Sequence, residues 1–183
     1  MKPLETFSEE QTKIINTSVA ISEELVCNYY KMSVNQWLRH QYDVKTLVDL
    51  SPNEIVHGPF AQIVRYQGQR KDTSLGSSTY DFYKICLQDH AIIRSLNTSP
   101  DLTILPFVLY IITHELVHIV RFSKFLVNFN ASPDEKKAEE IRVHEEAQRI
   151  LEGQQVPGLD AILDFYSGYG AALEETITLP SVS

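Results

Sequence analysis

Five residues in mid-chain, His114-Glu115-Leu116-Val117-His118, limit what this chain can fold into. They lie within an apolar run, Ile104 to Val120, so three polar side chains are carried into a core or put to use there. On a helix, positions i and i+4 share a face, with Cβ atoms roughly 5–6 Å apart. Both imidazoles then reach one metal ion. Glu115 projects about 100° round the helix, where it can take a proton from a metal-bound water. Zinc suits the pattern, because three protein ligands plus water is its catalytic arrangement and it lowers that water's pKa to about 7. The ordinary alternative is a core helix with two satisfied histidines. That alternative buries three polar groups without a shared purpose, which is costly.

The rest of the chain is ordinary for a globular protein. Its 183 residues are 43% hydrophobic and 22% charged, which suggests one domain with a real core. A net charge of −8 argues against a general binder of nucleic acid or anionic membrane, both of which want a basic patch. Cys27 and Cys86 form no C-x-x-C and imply neither a disulfide framework nor a thiolate metal site; Cys86 reads as a small core residue. Met1 to Glu5 lacks the apolar core of a signal peptide. The most apolar run, Leu102 to Ile112, is about 11 residues against the roughly 20 a membrane span needs. The expectation is a soluble cytoplasmic protein with no membrane or nucleic-acid partner; the oligomeric state is left open.

Helix starts punctuate the chain. Ser8-Glu9-Glu10-Gln11 is a capping box opening a helix drawn to about Met32. Ser33 to Gln36 repeats it, and this second helix is expected to continue, with a break, towards Leu50. Ser51-Pro52-Asn53-Glu54 starts a short turn that His57-Gly58-Pro59 stops. Phe60 to Gln67 and Thr79 to Gln88 read as strands of a hairpin, with Gly68 to Ser78 as its loop. Asp89 to Leu96 reads as a short helix. The helix carrying the two histidines is expected from Pro106 to about Asn128, with Phe107, His114, His118, Phe122 and Phe125 along one side. Ser132-Pro133-Asp134-Glu135 opens a helix that runs to Glu152 and stops at Gly153. A short helix from Leu159 to Phe165, a loosened stretch at Gly168 and Gly170, and a frayed tail from Leu179 close the chain. The fold class expected is α+β, mostly helical, with a small antiparallel sheet or hairpin before the metal helix. The division expected is a single domain, with N-terminal helices over about 8–56, a core over about 60–152 and an extension over 153–183.

A third ligand has to come from elsewhere, and the helix after Ser132 offers two. With His144 at 0° and about 100° per residue, Glu140 falls near about −40°, Ala147 near about −60° and Leu151 near about −20°. Gln148 and Ile141 complete this face. Glu139 and Glu146 fall opposite and, with Glu145, read as a solvated charged face. Here the chain resembles the zincin metallopeptidases, and among them the gluzincins. Their first helix carries H-E-x-x-H, and a second, some twenty-odd residues on, supplies a glutamate. The interval between His118 and Glu140 fits that arrangement. The family often shows E-x-x-x-D on the second helix, and this chain has Glu140-Ile141-Arg142-Val143-His144. Two assignments follow: Glu140 as third ligand with His144 beside it, which is preferred, or His144 as ligand supported by Glu140. The resemblance covers about residues 60 to 152, including the strands, whose edge commonly binds extended peptide in zincins. Metzincins are excluded, since Arg121 and Lys124 stand where their glycine and third histidine belong.

The resemblance implies a zincin-like fold and zinc-dependent hydrolysis of a peptide or protein substrate, with Glu115 as general base. Tyr166, Tyr169 and His90 are possible oxyanion donors, and none is assigned. Two further readings differ in class. One is a non-enzymatic interaction module with a structural or vestigial metal site. The other is a ferritin-like metal carboxylate bundle built on Glu115-x-x-His118, of which the sequence holds one copy where such bundles use two.

Overall fold

Serine hydroxyls start the helices where the sequence places them. The computed structural model of the chain describes residues 3–69, 79–124 and 130–169. Ser8 opens α1 (Glu9–Tyr29): its Oγ accepts from the Gln11 N–H at 3.2 Å, and Gln11 Oε1 accepts from the Ser8 N–H at 2.9 Å. Ser33 with Gln36 and Ser132 with Glu135 repeat that reciprocal box, while at Ser51 both the N–H and the hydroxyl donate to the Glu54 carboxylate. α1 ends short of the expected Met32, because Lys31 takes a left-handed φ of 52° and turns the chain.

The second helix departs most from expectation. α2 (Val34–Trp37) is a single turn and does not continue towards Leu50. The chain instead enters β1 (Tyr42–Lys45). Tyr42 and Val44 suit a strand, and a neighbouring strand edge is available. A short 3-10 turn at Pro52–Glu54 follows, and then the expected hairpin, β2 (Ala61–Gln69) and β3 (Thr79–Leu87). β3 is central, antiparallel to β2 and parallel to β1, so the sheet is mixed. Its register pairs Ile63 with Ile85 and Arg65 with Tyr83 across the hairpin. The expected hairpin loop falls largely on residues 70–78, outside the described residues.

α3 (Asp89–Thr98) leads to α4 (Ile104–Ser123), the helix of the two histidines. Pro106 sits in its first turn, where the missing N–H would have had no partner, so the helix begins two residues before Pro106 and is not kinked there. Phe125 and the end expected near Asn128 fall among residues 125–129, outside the described residues. α4 is buried on nearly every side. By length and composition it could cross a membrane, more than the shorter run to Ile112 implied, and 78% of its most apolar window is buried inside the protein. α1 lies along it through Ile15, Ser18, Ser22 and Val26. The two buried serines let the backbones approach, and donate to the Leu105 and Leu109 carbonyls at 3.2 Å each. Thr113 Oγ1 donates back to Ser22 Oγ at 3.2 Å.

α5 (Pro133–Leu151) and α6 (Leu159–Tyr169) cover the other side of α4. Gly153, with φ 81°, ends α5 as the sequence suggests. Gly158 has φ 82°, and a Cβ there would stand 2.9 Å from Thr103 Oγ1, so the turn into α6 tolerates no side chain. Residues beyond 169, including Gly170 and the expected tail, lie outside the described residues. The fold is α+β and mostly helical, with the hairpin ahead of α4 as expected and an unforeseen parallel strand beside it.

Candidate metal centre

His114 and His118 stand one turn apart on α4 with their Nε2 atoms 3.2 Å apart. α5 brings Glu140 between them. Its Oε1 lies 2.8 Å from His118 Nε2 and its Oε2 lies 3.2 Å from His114 Nε2. One ligand atom from each of the three residues falls within 4.8 Å of the others. The side chains are 12%, 9% and 11% exposed.

The register that delivers Glu140 is set one turn along. Arg121, buried on α4, forks onto Glu139 through Nε and Nη2, the latter at 2.9 Å. Its Nη1 bonds Glu146 Oε1 at 3.0 Å, and Tyr30 of α1 donates to the other Glu146 oxygen. These contacts overturn the expected solvated face. Glu139 is buried and Glu146 is paired, while Ile141, expected inside, is 45% exposed. The physical reason is rotation. α5 buries Val143, Ala147, Ile150 and Leu151, so its inward arc is turned roughly 80° from one centred on His144. Glu145 is exposed as expected, and pairs loosely with Arg149 at 3.7 Å. Arg121 was missed as a positioning residue. Its signal was a guanidinium at the end of an apolar run, between Val120 and Phe122, which has to find carboxylates once buried.

Glu115 leaves α4 in another direction. It is half-buried and makes no hydrogen bond among the described residues. Burial pushes its carboxyl above the usual range, against the pull of His114 and His118. Burial acts the same way on Glu140, but the two histidines overcome it and hold that carboxyl far below the usual range. His118 is opposed by burial and raised by Glu140, with a net rise.

His144 lies beside the cluster rather than in it. Its Nδ1 is 2.5 Å from Tyr110 Oη, and its ring centroid is 4.8 Å from that of His114. Burial and His114 push its pKa down to about 4. A neutral ring accepting the Tyr110 hydroxyl at Nδ1 carries its proton on Nε2. Tyr166 stacks on Tyr110 with centroids 3.8 Å apart, closing the wall behind His144. His90 is buried against His57, 5.2 Å between centroids, and no contact among the described residues joins it to the three donors. The Tyr169 side chain lies outside the described residues. Comparison of the chain with protein-family profiles, curated proteins and solved structures gives no match, so any kinship rests on these residues alone.

Proposed function

We propose that this chain is a zinc-dependent peptide hydrolase. The observation that carries the reading is the convergence of His114, His118 and Glu140, with Glu115 beside them and outside their hydrogen bonds. Two imidazole nitrogens and a carboxylate oxygen form a donor set that would fit zinc, whose catalytic sites take three protein ligands and a water. When bound, zinc supplies Lewis acidity and a water of lowered pKa. Glu115 takes a proton from the attacking water and passes it to the leaving amine. His144, with its Nε2–H fixed by Tyr110 and its ring centroid 4.8 Å from that of His114, is the group assigned to stabilise developing negative charge. Arg121 holds α5 so that Glu140 meets both histidines.

One observation favours a second reading, a metal-binding module without turnover. Metal-ligating histidines usually donate their other ring nitrogen, whereas Nδ1 of His114 and of His118 are buried with no partner among the described residues. A single experiment separates the two. Zinc-loaded protein is incubated with a proteome-derived peptide mixture, and new termini are read by mass spectrometry. The hydrolase reading expects cleavage that a chelator abolishes and zinc restores. Bound zinc without new termini would leave the module.

A further inference from the structure

The C-terminal ends of α1 and α4, the segment after α2 and Asp81 and Tyr83 of β3 line an open cavity of about 630 Å³. That is within the roughly 300–1,000 Å³ of small-ligand sites. Tyr30, Tyr83 and Phe122 give it aromatic walls, and the exposed side chains of Lys31, Arg39 and Lys124 border it with three cations. Its acid, Asp81, is neutralised by Arg65 at 3.0 Å. Lys124 Nζ sits over the Tyr30 ring, 4.8 Å from its centroid, and none of the three cations has a carboxylate partner among the described residues. Lys31 and Lys124 end long helices, where cations are favoured in any case. Arg39 follows a helix of four residues, which has little dipole to offset. A surplus of positive charge in a concave site, on a chain of net charge −8, marks an anion subsite.

The cavity reaches the candidate metal centre through Phe122. Phe122 lines it and stacks against His118, with centroids 5.9 Å apart. One helical turn is about 5.4 Å, close to the length of two residues of extended peptide. We propose that the cavity holds a carboxylate of a bound peptide, from its C-terminus or an acidic side chain, with Arg39, Lys31 and Lys124 as counter-charges. The peptide nature of the ligand rests on the hydrolase reading; the preference for an anion rests on the cavity.

The test uses the full chain carrying Glu115→Gln, with and without added zinc, and three labelled hexapeptides. One has neutral side chains and a free C-terminus. One is amidated with an internal glutamate. One is neutral and amidated. Fluorescence anisotropy is expected to show at least one carboxylate-bearing peptide binding about tenfold tighter than the neutral one. An added Arg39→Gln, Lys124→Gln pair removes that preference with zinc content unchanged, and Arg39→Lys, Lys124→Arg largely keeps it. Which peptide gains tells the C-terminus from the side chain. Equal affinities, no binding of any peptide, or a preference that survives the glutamine pair overturns the inference. Cleavage by the wild-type chain is read in parallel. Cleavage without a carboxylate preference removes the subsite and leaves the hydrolase reading, and preference without cleavage does the reverse.

Discussion

Glu115 and Glu140 are the same side chain in different surroundings. Glu140 is held between two imidazoles that keep it anionic, the state the proposed ligand needs. Glu115 has no such partner among the described residues, and burial raises its carboxyl's hold on a proton, as the proposed general base requires. Replacing Glu115 by Gln should therefore keep metal content and fold while lowering turnover by about 10²–10⁴-fold, checked by steady-state rates beside elemental analysis. Glu140→Ala should cost more zinc affinity than His144→Ala, since a supporting partner costs about 10–100-fold and a ligand more. A competitive chelator titration checks the order; the reverse order would make this a three-histidine site. The spacing of the two histidines is fixed by helix geometry and was legible before any fold was known. Glu140 was legible too, because a carboxylate on an apolar helix face needs a reason. Tyr110 as the partner of His144 was not, since a helix wheel carries no information about which helix lies opposite.

Between elements, charge decides register as much as apolar packing does. Arg121 joins α4 to Glu139 and Glu146 of α5 inside the protein. Arg121→Ala leaves two acidic groups uncompensated and should cost about 3–5 kcal/mol, read as a drop in the urea midpoint with little change in slope. Glu139→Gln in the same chain should recover part of it. Glu54 does similar work for the hairpin. Buried, it accepts from Lys84 Nζ at 2.6 Å, Tyr66 Oη at 2.5 Å, Ser51 Oγ at 2.7 Å and the Ser51 N–H at 2.8 Å. Burial raises its pKa, but Lys84, Tyr66 and Ser51 outweigh that and bring it from 4.5 to about 2. Its contribution is thus present above pH 4.5 and lost as pH falls towards 2. Glu54→Gln should be less stable than wild type by about 1–3 kcal/mol at pH 6, and the gap should close near pH 2 in urea titrations. The capping box announced Glu54 as a helix start and said nothing of Lys84. β1 was hidden for the same reason: a four-residue strand is specified by the edge it joins, here Tyr83 to Cys86, and not by its own pattern.

At the scale of the whole molecule, α4 is both the core and the bearer of the candidate site. α1 seals it through the Ser18 and Ser22 contacts, α5 supplies Glu140, and α6 backs Tyr110 with Tyr166. A metal ion bound where α4 meets α5 favours the folded chain over the unfolded one, so added zinc should raise the melting temperature and a chelator should lower it. The α+β class and the hairpin before α4 followed from period and punctuation in the sequence. The mixed sheet and the rotation of α5 did not, because both depend on which distant surface each element meets. The most direct measurement is metal content per chain after gel filtration, for the wild type, Glu115→Gln and the double variant His114→Ala, His118→Ala. Close to one zinc is expected in the first two and almost none in the third. A wild type without zinc, or a double variant that keeps it, would contradict the account.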